Sequence, residues 1–331
     1  MTPRPSDPPE KGHAIDPEAE RLYPARLRGR SGRLEVWYAT LTDPLTGTGV
    51  WIHHEVVAPA DGGPPRALGW VCVFPPDAPA LTERFGPHEP AGPGGSGEPY
   101  FGTPHVTASP TVLSGDAGTV RWHLDVTEGG APLYTFPRWA WRTKVLPAAQ
   151  VVAAPTAAFT GVVEVGGRRL ELTAAPGAVA RIAGHGNGRR WGWLHADLGG
   201  GDVLEVVAAV AKRPGMRRLP PLPLLQLRAG GHDWPTDPLL AAPLFTARLG
   251  LPEWSVDGRV GRRRLRVQVR QEPGECVELG YTDPDGTTAT CTNTERASAE
   301  IVVERREGRR FRVEHHWTLD RTAHAEIGTR P

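Results

Sequence analysis

The sequence predicts an all-β chain divided into two domains, on three observations. Gly and Pro together make up about 23% of the 331 residues, against roughly 12% in average usage. Eleven Trp and a hydrophobic fraction of 39% provide enough apolar surface to offset ordering entropy, so the excess marks turns rather than disorder. Short runs of alternating apolar and polar residues recur between turn signals, and helical periodicity is sustained nowhere. Many short strands at this spacing mean sandwiches or barrels. About 300 ordered residues are too many for one small barrel, so two all-β domains are expected.

Residues 1–30 (beginning MTPRPSDPPEKGH) are Pro-rich and charged, and read as a disordered arm. They show no apolar h-region, so no secretory signal is visible and a cytoplasmic protein is expected. From Arg33 onward the alternating runs begin. Runs 34–41 and 50–58 flank the turn 42–49, and runs 69–74 and 119–126 follow. Runs 161–165 and 168–174 flank Gly166-Gly167, a two-residue hairpin signal because both glycines can take positive φ. Runs 191–198 and 203–211 flank Gly199-Gly200-Gly201. Runs at 265–270, 276–281, 287–293, 297–306 and 309–314 complete the set, with Asp283-Pro284-Asp285-Gly286 as a turn between two of them. Gly/Pro-rich stretches at 87–99 and 214–238 read as loops, the second apolar enough to pack against a barrel.

Composition excludes several function classes. Lys plus Arg is 38 and Asp plus Glu is 37, so the basic excess of a nucleic-acid binder is absent. The densest basic run, 259–270, alternates Leu265, Val267 and Val269 with Arg264, Arg266, Gln268 and Arg270, the pattern of a strand with one solvated face. The longest apolar stretches, such as 206–211, are far short of the ~20 residues of a membrane span. Cys72, Cys276 and Cys291 match no zinc or CxxC spacing and read as reduced thiols. There is no GxSxG elbow, no phosphate loop and no dinucleotide fingerprint. No cofactor and no metal is expected: His53-His54 and His315-His316 are adjacent on strands, so each pair points to opposite faces and cannot chelate together. Arg121, His123 and Asp125 alternate on one strand and read as an exposed charge ladder.

The most distinctive segment is 184–211. Alternation places Trp191, Trp193, His195 and Asp197 on one face of a strand. If Leu198 pairs with Asp202, Glu205 sits opposite His195. A His beside two carboxylates and two indoles has the composition of an acid/base site in an apolar cavity. The competing reading is a solvated polar face. Asp197 or Glu205 is the candidate acid, His195 its proton partner, and Trp191 and Trp193 the walls. His185 and Asn187 lie in the preceding string 184–188, where small residues permit a sharp turn or close ligand approach. A second set is Trp51, His53 and Glu55 on one face of a strand, with Glu35 and Trp37 sharing a face of the preceding one. If those faces coincide, Glu35, His53 and Glu55 cluster with two Trp.

With these residues in view, the chain resembles the tandem lipocalin-like family of carotenoid 1,2-hydratases (hydroxyneurosporene synthase) and AttH-like proteins. More distantly it resembles tocopherol cyclases and the lipocalin-like Diels–Alderases. The resemblance rests on Glu35-Val36-Trp37-Tyr38, on the Gly-rich stretch into Trp191-Gly192-Trp193, on Trp234-Pro235 and on the C-terminal 292–304. In place of the family's Asp-His-x-Trp-Gly-like string, this chain reads His185-Gly186-Asn187-Gly188. The resemblance implies two tandem lipocalin-like (calycin) antiparallel β-barrels with few or no helices. The arm would span 1–30, the first barrel 31–187 and the second 188–331. It further implies a pocket in or between the barrels for a hydrophobic isoprenoid, polyene or polyketide, worked on by hydration, cyclisation or cycloaddition without a redox cofactor. The alternative is a non-catalytic carrier of an apolar metabolite. Open barrel edges leave room for a homodimer.

Overall fold

The computed structural model describes residues 17–26, 30–91, 99–127, 129–143, 146, 148–212, 215 and 219–330. Two large curled antiparallel sheets form half-barrels, as the sequence predicts. The first contains β1 (Arg33–Thr42), β2 (Gly49–Ala58), β3 (Arg66–Phe74), β4 (Leu81–His88), β5 (Phe101–Gly102), β6 (Val106–Ala108), β7 (Val112–Ala117), β8 (Val120–Thr127), β9 (Ala148–Val165) and β10 (Arg168–Gly184). Its strand order is β4-β3-β2-β1-β10-β9-β8-β7-β6-β5. The second contains β11 (Arg190–Gly199), β12 (Asp202–Val210), β13 (Leu222–Ala229), β14 (His232–Trp234), β15 (Phe245–Arg248), β16 (Glu253–Val260), β17 (Arg263–Arg270), β18 (Val277–Thr282), β19 (Thr288–Glu307) and β20 (Arg310–Thr329). Its order is β14-β13-β12-β11-β20-β19-β17-β16-β15, with β18 added along β19. Each half therefore sets its first strand between its second and its last.

Turn chemistry explains the hairpins. Gly166 and Gly167 join β9 to β10 with φ of 54° and 84°, the left-handed conformations a two-residue hairpin needs. The runs expected at 287–293 and 297–306 are one strand, β19, bent by bulges between Thr294 and Ala299. The region 214–238, expected as a loop, contains β13 and β14. The signal was hidden because Pro223 interrupts the run. It is tolerated because β14 pairs only with 227–229, leaving Pro223 without a ladder partner on that side.

Part of the expected arm is ordered. Residues 1–16 and 27–29 lie outside the described residues, but α1 (Pro17–Glu20) and the chain to Arg26 pack on the first half-barrel. Ala19, Leu22 and Tyr23 are buried. Arg181 donates to the Tyr23 and Pro24 carbonyls at 2.9 and 3.0 Å and also to that of Leu22, while Trp37 Nε1 donates to Tyr23 O at 2.8 Å. Arg181 is fully buried and pairs with Glu35, so one guanidinium is satisfied by a carboxylate and a row of carbonyls.

Among the described residues three apolar clusters form the core. One lies inside the first sheet's curl and includes Trp37, Ile52, Trp122 and Phe159. A second lies inside the second sheet's curl and includes Leu194, Val206, Trp254 and Ile301. The third joins residues of both sheets, among them Tyr38, Trp51, Trp70, Trp191 and Trp193. Alternation explains the partition: Trp37, Ala39 and Leu41 of β1 face into the curl, while Leu34, Val36 and Tyr38 face the other sheet. Among the described residues no helix is long and apolar enough to cross a membrane.

A candidate site at the junction of the two sheets

Among the described residues apolar clusters fill both curls, and a cavity lies between the sheets. It encloses about 160 Å³. Trp51, Trp191, Trp193, Tyr38, Tyr281 and Phe136 form aromatic walls. His53, Gln150, Asn187 and Glu326 add polar groups to the lining. A mostly apolar hollow with a few polar groups is the general form of a small-molecule site.

The β11–β12 hairpin contributes one wall. His195 pairs with Glu205 in register, and a bulge between Asp197 and Gly199 absorbs the turn. The solvated-face reading fails here, because His195 and Glu205 are both buried. Glu205 Oε1 accepts from Trp193 Nε1 at 2.6 Å and from Gln150 Nε2 at 2.7 Å. Gln150 Nε2 also donates to the Tyr38 hydroxyl at 2.6 Å, and that hydroxyl lies 3.5 Å from Glu205 Oε1. His195 Nδ1 sits 2.9 Å from Glu205 Oε2. The indole and the amide nitrogen can only donate, so Glu205 serves as an acceptor hub behind the wall. It is not among the residues lining the cavity, nor is His195. Burial, with Glu205 nearby, pushes the Tyr38 hydroxyl well above its ordinary range.

Deeper in the junction, the β19 bulge aims Glu295 at the first sheet. Glu295 accepts from Thr40 Oγ1 and lies 3.3 Å from His324 Nδ1. Thr42 Oγ1 contacts His324 Nε2 at 2.9 Å. Burial raises the Glu295 carboxyl well above the carboxylate range and holds the His324 imidazole well below its own.

The remaining expectations divide. Trp191, Trp193, Trp51, His53 and Asn187 all line the cavity. Glu35 and Trp37 do not join them. Trp37 is opposite His54, and Tyr38 is opposite His53, so the faces of β1 and β2 pair the other way from the clustered arrangement. Glu35 and Trp37 instead face the first curl with Arg181. Asp197 lies at the hairpin end, where Oδ1 accepts from Gly199 N at 2.9 Å; it is not part of the cavity lining. His185 is exposed beside Arg33. Arg121, His123 and Asp125 are exposed, with Arg121 paired to Asp116 at 2.7 Å.

Asn187 belongs to the rim. Its backbone N–H and side-chain amide donate to Asp283 at 2.9–3.1 Å, and Arg330 pairs with the same carboxylate. Gly186 has φ of 130°, and a Cβ there would stand 2.2 Å from the Asp283 carboxylate. Only glycine lets the linker pass this close to its anchor.

Sequence reasoning missed Glu326, the carboxyl that does line the cavity. It lies on β20 opposite Trp193, retains 8% exposure and accepts from Trp191 Nε1. Burial raises its carboxyl above the ordinary range, opposed by hydrogen bonds from its neighbours. A signal existed: His324-Ala325-Glu326 repeats the spacing of His53-His54-Glu55, a His and a Glu on one strand face. Among the described residues, no group of three or more His, Cys, Asp or Glu is placed to hold a metal ion.

Comparison with known proteins follows the same lines. A family described as tocopherol cyclase-like matches residues 114–329. Two uncharacterized proteins of Mycobacterium tuberculosis are each 50% identical over 322 residues, covering 97% of this chain and 94% of theirs. Among solved structures, an AttH-like protein from Nitrosomonas europaea superposes with a TM-score of 0.55 at 12% identity, covering 97% of this chain and 98% of its own. Kievitone hydratase from Nectria haematococca superposes with a TM-score of 0.52 at 8% identity, over 92% and 91% of the two chains. At these identities the two likenesses show the fold.

Proposed function

Because the chain belongs to the tocopherol cyclase-like family, we propose that it is a hydratase or cyclase of an apolar, alkene-bearing small molecule held at the sheet junction. The observation that carries this reading is a buried carboxyl, Glu326, in an aromatic-lined cavity. Burial shifts its proton affinity upward, the direction a general acid needs. The Glu326 O–H adds its proton to one alkene carbon, and the π pair becomes the new C–H bond. The neighbouring carbon becomes cationic and Glu326 becomes a carboxylate. The faces of Trp51, Trp191 and Trp193 stabilise that cation through the ring quadrupole. A hydroxyl of the same molecule, or a water, forms the C–O bond and returns its proton to Glu326. Ring closure leaves the mass unchanged, and hydration adds one water.

In this reading Glu205 and His195 are positioning residues. Glu205 holds Tyr38, Gln150 and Trp193 in place through Oε1 and contacts His195 through Oε2, so both oxygens are engaged within the wall. Asp197 has no part in the chemistry.

The test is incubation of purified protein with prenylated phenols and linear polyenes, reading products of unchanged mass or one water heavier. Glu326→Gln is expected to lower turnover about 10²–10⁴-fold, the usual weight of a positioned acid, while ligand binding persists. Wild-type turnover is expected to fall as pH rises through the elevated Glu326 pKa, because only the protonated form donates. Full activity in Glu326→Gln would remove the acid assignment. Retention without product across the panel would leave a carrier.

A further inference from the structure

The β2 wall of the cavity carries a further imidazole–carboxyl pair that the acid chemistry does not use. Alternation along β2 puts Trp51, His53 and Glu55 on the junction face. The His53 ring is fixed: it stacks on Trp70 at 4.0 Å and 5°, and meets Tyr281 edge-on at 5.8 Å and 74°. Its Nε2 lies 3.2 Å from Glu55 Oε2. Its Nδ1 is buried and has no hydrogen-bond partner among the described residues, and the same holds for Trp51 Nε1. Both residues line the cavity.

We propose that His53 presents Nδ1–H to the ligand and, with Trp51 Nε1–H, forms a subsite for a carbonyl oxygen. The subsite rests on the cavity being the ligand site and is independent of turnover. A neutral imidazole has one donor and one acceptor nitrogen, and its partner decides which is which. Burial raises the Glu55 carboxyl to about 8, with Asp283 adding to the rise and Arg84 opposing it. Burial lowers His53 to about 3, with Arg84 contributing. At neutral pH the pair is therefore a carboxylic acid and a neutral ring. The acid must donate to Nε2, which leaves the hydrogen on Nδ1. The groups facing the pair are Arg84 from β4, Asp283 from the turn after β18, and the uncharged rings of Trp70 and Tyr281.

A buried N–H without an acceptor is costly, and a ligand oxygen removes that cost. Two neighbouring donors without a hydrogen-bond partner among the described residues select the ligand atom. A carbonyl oxygen has two lone pairs and no hydrogen of its own to leave unsatisfied. Together with the Glu326 wall, this describes an apolar alkene that also carries a ketone, quinone or ester carbonyl. Tyr281 contacts both His53 and Trp191, so one ring touches both walls.

The experiment measures binding of benzophenone and diphenylmethane by tryptophan fluorescence; the two differ only by a carbonyl in place of a methylene. The wild type is expected to prefer benzophenone about tenfold at pH 6.5, the ratio a net 1.4 kcal/mol produces. His53→Phe retains an aromatic ring on Trp70 and is expected to bring the benzophenone-to-diphenylmethane affinity ratio close to one. Glu55→Gln is expected to keep it, because the amide N–H can donate to Nε2. At pH 9.5 the wild type is expected to lose the preference: ionised Glu55 takes the hydrogen to Nε2 and turns Nδ1 into an acceptor. Glu55→Gln has no such transition. Equal affinities in the wild type, or a preference unchanged in His53→Phe, overturn the subsite alone. Failure of both probes to bind overturns the cavity as a ligand site and the subsite with it. Absence of product in the turnover assay bears on Glu326 and leaves the binding comparison standing.

Discussion

The β1–β2 and β11–β12 hairpins occupy equivalent places in the two sheets, and each brings one His and one Glu to the junction. In the second half the pair spans the hairpin: His195 faces Glu205 across two strands, and Trp193 and Gln150 add donors. In the first half the pair lies along one strand: Glu55 meets His53, and no other hydrogen bond to the Glu55 side chain is found among the described residues. Both carboxyls are buried. What differs is the number of donors each accepts from. A carboxyl supplied with several N–H groups holds the surrounding side chains in place. One left with a single imidazole and desolvation keeps its proton to about pH 8 and dictates a tautomer.

The largest effect expected from this contrast is on stability. Glu205→Leu leaves the Trp193 N–H, the Gln150 amide and His195 without their acceptor. It is expected to cost about 3–5 kcal/mol, since each buried donor left without an acceptor costs about 1–3 kcal/mol, and to lower Tm by on the order of 10 °C. Glu55→Leu removes one hydrogen bond from a group already neutral and is expected to cost about 1 kcal/mol. Equal losses by thermal denaturation would erase the distinction between the pairs.

A second expectation concerns pH. The folded Glu55 carboxyl titrates near 8 against an ordinary 4.5, so its contribution to stability is complete below about 4.5 and is lost as pH rises toward 8. Glu55→Gln, with no proton to lose, is expected to flatten the denaturant-unfolding curve of stability against pH over that window. Buried His53 and His54, each lowered to about 3, act in the opposite direction: their contribution falls as pH drops below about 6.5. The variant therefore isolates the carboxyl. An unaltered slope would mean that Glu55 ionises freely in the folded chain.

The smallest effect belongs to Asp197, which shares a strand face with His195 yet only closes the hairpin turn. Asp197→Ala is expected to cost roughly 0.5–1 kcal/mol and to leave turnover unchanged. A loss of turnover matching that of Glu326→Gln would return the acid role to β11.

Much of the fold was legible because turns and alternation are local. Gly166-Gly167 and Gly199-Gly200-Gly201 announce their hairpins, and Trp191, Trp193 and His195 share a face as the period of two requires. Less of the site was legible. Glu326 sits in a run, 315–329, whose alternation is obscured by polar residues that become buried only against the other sheet. Gln150 gives no signal at all, since a single amide between apolar residues acquires meaning only from Glu205, 55 positions away.

By itself the sequence determined that the chain is all-β, that it forms two curled antiparallel sheets, and which side chains share a strand face. Local sterics and turn conformations set those properties over a few residues. Only the tertiary structure decided which face of β1 meets which face of β2 and which faces of the two sheets oppose each other. Alternation is unchanged when a strand is turned over, so Glu35 with His53 and Tyr38 with His53 are equally good patterns. Packing chose the second, filled both curls with apolar side chains and left the hollow, with its buried carboxyls, where the sheets meet.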